Sequence, residues 1–333
     1  MVITNVRLLP IPRPTRAFAL ALAAAAMAVL AGSDPVAAAW KGKRGPIVFA
    51  GGEAVAGNGL WSKSLHGRLR HLTFDSSDGQ PQSSPNGRLI VFVRTVDEPL
   101  PEGGGGSFPA LHVFRARSDG SSVREVTDGP VFDRFPSFAP NGKRILFSRF
   151  TPEAGGDIYS VRLDGSGLHQ ITSGSGDDRD PVLSPTGRLI AFDRFVEGHT
   201  RHVYTMRPDG SRIKDATPNL AAWSSQPDFS PSGNRIVFVR GFPGDERTAD
   251  LFTMRPDGKL RRRLTGQPNH PTGGFSNPAY SPDGRLVVSQ FERSGGFSKL
   301  RVVRVRDRSL VATLGGRPMA RTPDARDPVW LPR

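Results

Sequence analysis

Short apolar runs recur along the chain, and each is entered through the same polar turn. The runs are Arg88-Leu-Ile-Val-Phe92, Arg144-Ile-Leu-Phe147, Arg188-Leu-Ile-Ala-Phe192, Arg235-Ile-Val-Phe238 and Arg285-Leu-Val-Val288. Branched and aromatic residues in so short a run predict buried strands. Before each run stands a turn: Ser-Pro-Asn-Gly87, Ala-Pro-Asn-Gly142, Ser-Pro-Thr-Gly187, Ser-Pro-Ser-Gly233 or Ser-Pro-Asp-Gly284. Pro sets φ for the first turn position and Gly supplies the positive φ that ends it. A further proline opens each copy, at Pro81, Pro136, Pro181, Pro227 and Pro278, and a truncated copy, Asp327-Pro-Val-Trp-Leu-Pro332, closes the chain. A period of roughly 45–55 residues signals a repeat architecture such as a propeller.

Each copy predicts four strands. The proline segment is the innermost and the apolar run is the second. The third carries an aromatic five residues before an Asp-Gly turn: Phe114, Tyr159, Tyr204 and Phe252 precede Asp119, Asp164, Asp209 and Asp257. Asp-Gly between alternating runs is a hairpin signal. The fourth ends in Thr, at Thr73, Thr127, Thr172, Thr217 and Thr265. The two chain ends are complementary. Residues 45–73 supply three strands, with Trp61 in the aromatic position, and Asp327–Pro332 supplies only an innermost one. The expected fold class is therefore an all-β, six-bladed β-propeller of four-stranded antiparallel blades, with one blade shared between the N- and C-terminal segments. Such sharing closes the ring and removes open sheet edges.

Composition adds three points. The 333 residues contain no Cys, which excludes disulfides, thiolate metal sites and cysteine nucleophiles. The formal net charge is +14. Arg recurs at matching positions of successive copies, so this charge is spread around the molecule and does not form a nucleic-acid patch. Residues 1–39 read as a Sec-type signal peptide. Arg7, Arg13 and Arg16 precede an apolar run from Ala17 to Ala31, and Val36-Ala-Ala-Ala39 offers a cleavage site before Trp40. The expected domains are thus a signal peptide, 1–39, and a propeller, 40–333. The expected location is secreted, periplasmic or cell-envelope.

The repeats resemble the TolB-like propeller family, whose unit reads roughly Pro-x-Trp-Ser-Pro-Asp-Gly-Lys, strand, Tyr-x-Met-x-x-Asp-Gly, strand, Leu-Thr. Residues 226–265 match it closely through Phe229-Ser-Pro231, Met254-Arg-Pro-Asp-Gly258 and Leu264-Thr265. The resemblance covers about residues 45–332. It implies a propeller fold, an envelope location and binding of an envelope protein at the propeller. It extends to the propeller alone, without the family's N-terminal α/β domain.

Two repeating features fall on the face where fourth strands lead to innermost ones and second strands to third ones. The first is an Arg two residues past the second-strand Phe, at Arg94, Arg149, Arg194 and Arg240, replaced by Phe291 and Gly51 in the other two units. The second is an acid near the start of the innermost strand, at Asp78, Asp133, Asp178, Asp180 and Asp327, interleaved with Arg134, Arg179 and Arg326. These residues form either a charged rim that engages a partner or a set of blade-to-blade ion pairs. The variable segments Thr95–Ala110, Pro243–Asp250 and Pro268–Ser276 are the other candidates, because loops on a rigid scaffold often carry function.

Two groups of residues bear on metal binding. His199 and His202 with Glu197 could be placed for a metal, and Asp177, Asp178 and Asp180 could offer oxygens to Ca²⁺, but the spaced acid-and-glycine pattern of a calcium loop is missing. No nucleophile elbow, P-loop, His-Glu-x-x-His or dinucleotide fingerprint occurs. The expectation is a non-catalytic, monomeric scaffold without cofactor or metal. It binds a protein or envelope polymer through its channel-mouth loops, and meets a membrane only if its export signal stays uncleaved. The alternative is a carbohydrate-active enzyme or lectin for acidic polysaccharide.

Overall fold

In the computed structural model each of these apolar runs lies in the second strand of an antiparallel group of four. The structure describes residues 43–332 apart from 53–57, 68, 100–106, 152–154, 175, 197–199, 219–221, 243–244, 267–272, 294–297 and 315–323. The expected export segment lies outside the described residues. No helix occurs among the described residues. The innermost strands are Gly79–Ser83, Phe132–Phe138, Asp178–Leu183, Ser224–Phe229, Gly273–Tyr280 and Asp324–Pro332. Each packs beside the next. Asp324–Pro332 touches both Gly273–Tyr280 and Gly79–Ser83, so the succession returns to its start. Asp324–Pro332 pairs with Arg44–Gly52, which pairs with Gly59–Lys63, which pairs with Leu69–His71. The chain ends therefore share one sheet, as the complementary fragments predict.

The repeat residues have structural tasks. In the Ser-Pro-Asn-Gly turn, Gly87 N donates to the Ser84 carbonyl at 2.9 Å and Ser84 N to the Leu89 carbonyl at 2.9 Å. Gly87 has φ +67°, and a Cβ there would lie 2.0 Å from the Pro332 carbonyl oxygen of the closing strand. The recurring Thr caps the third strand. Thr73, Thr127, Thr172, Thr217 and Thr265 each accept the N–H of a third-strand residue at 2.9–3.0 Å. The second-strand Phe and third-strand aromatic stack within a sheet, with centroids 5.7–6.0 Å apart for Phe92/Phe114, Phe147/Tyr159 and Phe192/Tyr204. Phe92, Phe147, Phe192 and Phe238 are fully buried, so the core is divided among the sheets and their junctions.

Two of the variable segments are more regular than loops. Leu89–Pro99 and Ser107–Arg117 pair from Leu89↔Arg117 out to Pro99↔Ser107, so most of Thr95–Ala110 is an extended hairpin. Asp245–Met254 likewise continues outward from the Asp-Gly turn.

Candidate functional site

Arg94, Arg149 and Arg194 are clamps. Nε and Nη2 of each donate to the two carboxylate oxygens of Asp78, Asp133 and Asp178 respectively, at 2.6–2.9 Å. Such parallel bonds are the strong form of the Arg–carboxylate pair. The guanidinium lies over the aromatic of the third strand, 5.0 Å from the Phe114 centroid, 5.5 Å from Tyr159 and 5.4 Å from Tyr204. Burial pushes the Asp78 and Asp133 carboxyls up, and the facing arginines oppose that push. Each clamp joins the first and second strands of one sheet. The pairs thus lie within a blade; the blade-to-blade arrangement is not what these residues form.

The clamp position changes around the molecule. By register it holds Ser224 and Arg240, then Phe275 and Phe291, then Ala325 and Gly51. Phe275 and Phe291 replace the ion pair with a ring contact at 4.9 Å. Arg240 keeps its place over the third-strand aromatic, 5.3 Å from the Phe252 centroid. Opposite it stands Ser224 in place of an acid.

A second set of residues was not singled out as a group by the sequence pattern. In every innermost strand the residue before the first proline has positive φ: Gln80 (55°), Phe135 (57°), Asp180 (53°), Gln226 (55°), Asn277 (52°) and Asp327 (51°). For non-glycine residues this costs on the order of 1 kcal/mol each. A bulge accompanies it, with two residues opposing one between Gly79 and Gln82, for example. In five of these residues the turned backbone aims the N–H at a side chain of a neighbouring sheet. Gln80 N donates to Asp327 Oδ2 (3.1 Å), Phe135 N to Gln80 Oε1 (2.9 Å) and Asn277 N to Gln226 Oε1 (2.9 Å). Gln226 N instead reaches Asp193 Oδ1 (3.3 Å), and Asp327 N reaches Gln290 Oε1 (3.3 Å). Asn277 Nδ2 donates to both Gln290 Oε1 and Asp327 Oδ1. The signal for this ring was a polar residue before proline in most copies.

Asp180 is the member under most stress. It is buried, and neither carboxylate oxygen accepts an N–H or O–H among the described residues. Its neighbour Asp193 is held by Arg201 at 2.7 Å. Burial raises the Asp180 carboxyl well above the usual carboxylate range, and the Asp193 charge adds to this. Protonated, Asp180 can donate to Asp193. Asp177 and Asp178, the other two acids of the expected cation set, are bound by Arg179 (2.7 Å) and Arg194 (2.6 Å). No set of three His, Cys, Asp or Glu suited to a metal occurs among the described residues. His202 bonds Asp215 at 2.7 Å, while His199 and Glu197 lie outside the described residues.

On the face with the clamps a cleft of about 430 Å³ opens. Asp78, Gln80, Arg134, Arg326 and Asp327 line it together with Thr95 and Leu111 of the extended hairpin. Arg134 is buried with its guanidinium over the Phe135 ring at 4.9 Å, whereas Arg326 is exposed. The predicted site residues therefore separate. Arg94, Arg149, Arg194, Asp133, Asp178 and Arg179 are committed to internal pairs. Asp180 is buried beside Asp193, and Arg240 faces Ser224 in place of an acid. Arg134, Arg326, Asp327 and Asp78 meet at one cleft. The segment Pro268–Ser276 lies partly outside the described residues.

Antiparallel groups of four whose innermost strands return on themselves define a β-propeller-type protein. Residues 120–331 match the model of the TolB beta propeller domain, and the chain belongs to that family. It is similar to TolB from Acinetobacter baumannii at 18% identity, with a TM-score of 0.67 over 87% of this chain and 67% of that one. It is also similar to a putative TolB from Agrobacterium tumefaciens at 26% identity, with a TM-score of 0.54 over 68% and 79%. Among curated proteins it is 33% identical over 92 residues to the uncharacterized protein Atu1656 of Agrobacterium fabrum, and the match spans 27% of this chain and 25% of that relative.

Proposed function

We propose that the chain is an exported, six-bladed, non-catalytic propeller that binds a protein or cell-envelope polymer at the channel-mouth face. The observation that carries this reading is the cleft lined by Arg134, Arg326, Asp327 and Asp78, where two sheets of unlike clamp position meet. Its acids are already engaged, Asp78 by Arg94 and Asp327 by the Gln80 N–H and Asn277. That suits holding a partner better than proton transfer. The exposed Arg326 and the hairpin that projects beside it offer shape and charge to a large ligand. The signal-like segment 1–39 supports export to the periplasm, envelope or medium, with the folded unit acting as a monomer.

The test is capture from an envelope extract by purified wild-type protein and by Arg326→Glu. The wild type retains a band that Arg326→Glu loses while keeping the wild-type melting temperature. Equal capture by both would remove the cleft from the reading. Mass spectrometry of the protein recovered from the producing cell checks export, with a mature N-terminus at Trp40 expected.

A further inference from the structure

Arg240 stands in a clamp that lacks its acid. Three sister sheets show what this position accepts: a guanidinium resting on an aromatic and a carboxylate bound through Nε and Nη2 at 2.6–2.9 Å. Arg240 has the aromatic, Phe252, at the same distance as its sisters. In the strand register it faces Ser224 where they face Asp78, Asp133 and Asp178. Ser224 is wholly buried, its Oγ has no hydrogen-bond partner among the described residues, and the same holds for Arg240 Nε. A buried donor left without a partner costs about 1–3 kcal/mol. The nearest acid on the third strand, Asp250, is occupied by Arg263 and Thr265. Arg261 adds a second positive charge nearby, and this and burial both work against the Arg240 cation. Arg240 is only partly buried, so its outer edge meets solvent.

We propose that Ser224 and Arg240 form a receptor for a carboxylate brought from outside the chain, an aspartate or glutamate side chain of a protein partner. The serine side chain is two heavy atoms smaller than the aspartate of the sister sheets, a difference that favours a carboxyl group on a slim stem over a bulkier acid. The sister sheets hold aspartate side chains in that position, whereas a uronic acid bears its carboxyl directly on a ring. The Ser224 hydroxyl supplies one donor and Arg240 Nε and Nη2 supply the others. The proposal rests on the reading of this face as the partner-binding face, and it adds the chemistry of one contact point away from the Arg326 cleft.

The experiment follows the side-chain Nε–Hε resonances of the ¹⁵N-labelled full chain while acetyl-aspartate amide is added, with potassium chloride at matched ionic strength as control. The resonance absent from Arg240→Gln identifies Arg240. It is expected to shift saturably with acetyl-aspartate amide and not with chloride. In Ser224→Asp, which restores the sister clamp, the Arg240 resonance should already sit near those of Arg94, Arg149 and Arg194 and ignore the ligand. No saturable shift in the wild type overturns the site, and so does an undiminished shift in Ser224→Asp. If Ser224→Asp fails to fold, the backbone amide of Ser224 is followed instead in the wild type and in Arg240→Lys; its shift should need at least tenfold more acetyl-aspartate amide in Arg240→Lys, and an unchanged response overturns the bidentate assignment. A larger response to galacturonate than to acetyl-aspartate amide overturns the choice of a protein side chain. Loss of capture by Arg326→Glu leaves these resonances untouched, so failure of the cleft reading and failure of this site are separable.

Discussion

Arg149 meets Asp133 through two parallel hydrogen bonds, Nε at 2.7 Å and Nη2 at 2.8 Å, across the first and second strands of one sheet. The Asp133 side chain has no solvent exposure and that of Arg149 only 14%. Removing one member of a buried pair strands the other charge, whereas removing both does not. Arg149→Met should therefore lose about 3 kcal/mol in denaturant unfolding. The double variant Asp133→Ser, Arg149→Met should recover most of that loss. A neutral Arg149→Met would mean that the clamp is held by its neighbours and contributes little itself.

Asp180 makes the opposite kind of prediction, one read against pH. Its folded-state carboxyl is raised, by burial first and by Asp193 second. Between the unfolded value near 4 and the raised folded one, the native state holds the extra proton, so stability falls as pH increases. The contribution is fully present below the unfolded value and is lost as pH rises through the folded one. Asp180→Asn keeps the shape and removes the titration. Its melting temperature should exceed that of the wild type at pH 7, and the gap should close on going to pH 4. A gap that widens toward acid would show that Asp180 is ionised in the native state.

The architecture was legible because its signals are local and repeated. Pro, Gly and the apolar run after them dictate a turn and a strand without help from elsewhere, and the partial copy Asp327–Pro332 tells where the sheet made by the chain ends belongs. The arginines and acids were legible as a pattern, but their pairing needed the register, which places Asp78 against Arg94 inside one sheet. Ser224 was not visible at all, since a serine in a polar loop carries no signal until it is seen to stand where its sisters have aspartate. The left-handed residues before proline were hidden for a related reason. Residues before proline favour extended backbone, and only packing around the axis forces Gln80, Asp180 or Asn277 away from it.

Thr217 tests whether the recurring Thr is a cap or merely a strand end. Its hydroxyl accepts the Val203 N–H at 2.9 Å in a fully buried setting. Thr217→Val keeps the shape and leaves that N–H unmet, which should lower stability by about 2 kcal/mol. Thr217→Ser retains the acceptor and should lose less. Hydrogen exchange at Val203 should accelerate in the Val variant only. Equal losses in both variants would assign the effect to the missing methyl.

Gly87 and Gly142 occupy the same turn in successive sheets, with φ of 67° and 65°. Their surroundings differ. A Cβ on Gly142 finds its nearest neighbour, Pro85 Cδ, at 3.7 Å, an ordinary contact. A Cβ on Gly87 would lie 2.0 Å from the Pro332 carbonyl oxygen. Gly142→Ala should therefore lose only the left-handed backbone preference, about 1 kcal/mol. Gly87→Ala must in addition push Asp324–Pro332 away from Gly79–Ser83, at the junction where the sheet shared by the two chain ends meets the next. Overpacking of that kind typically adds 1–3 kcal/mol. The extra loss should appear as faster hydrogen exchange in Asp324–Pro332 and in its partner Arg44–Gly52, with Phe132–Phe138 unaffected. If both alanine variants lose the same stability and exchange alike, the C-terminal strand is not clamped at this turn, and closure is carried instead by contacts such as Ser83 Oγ to the Trp330 carbonyl at 2.9 Å.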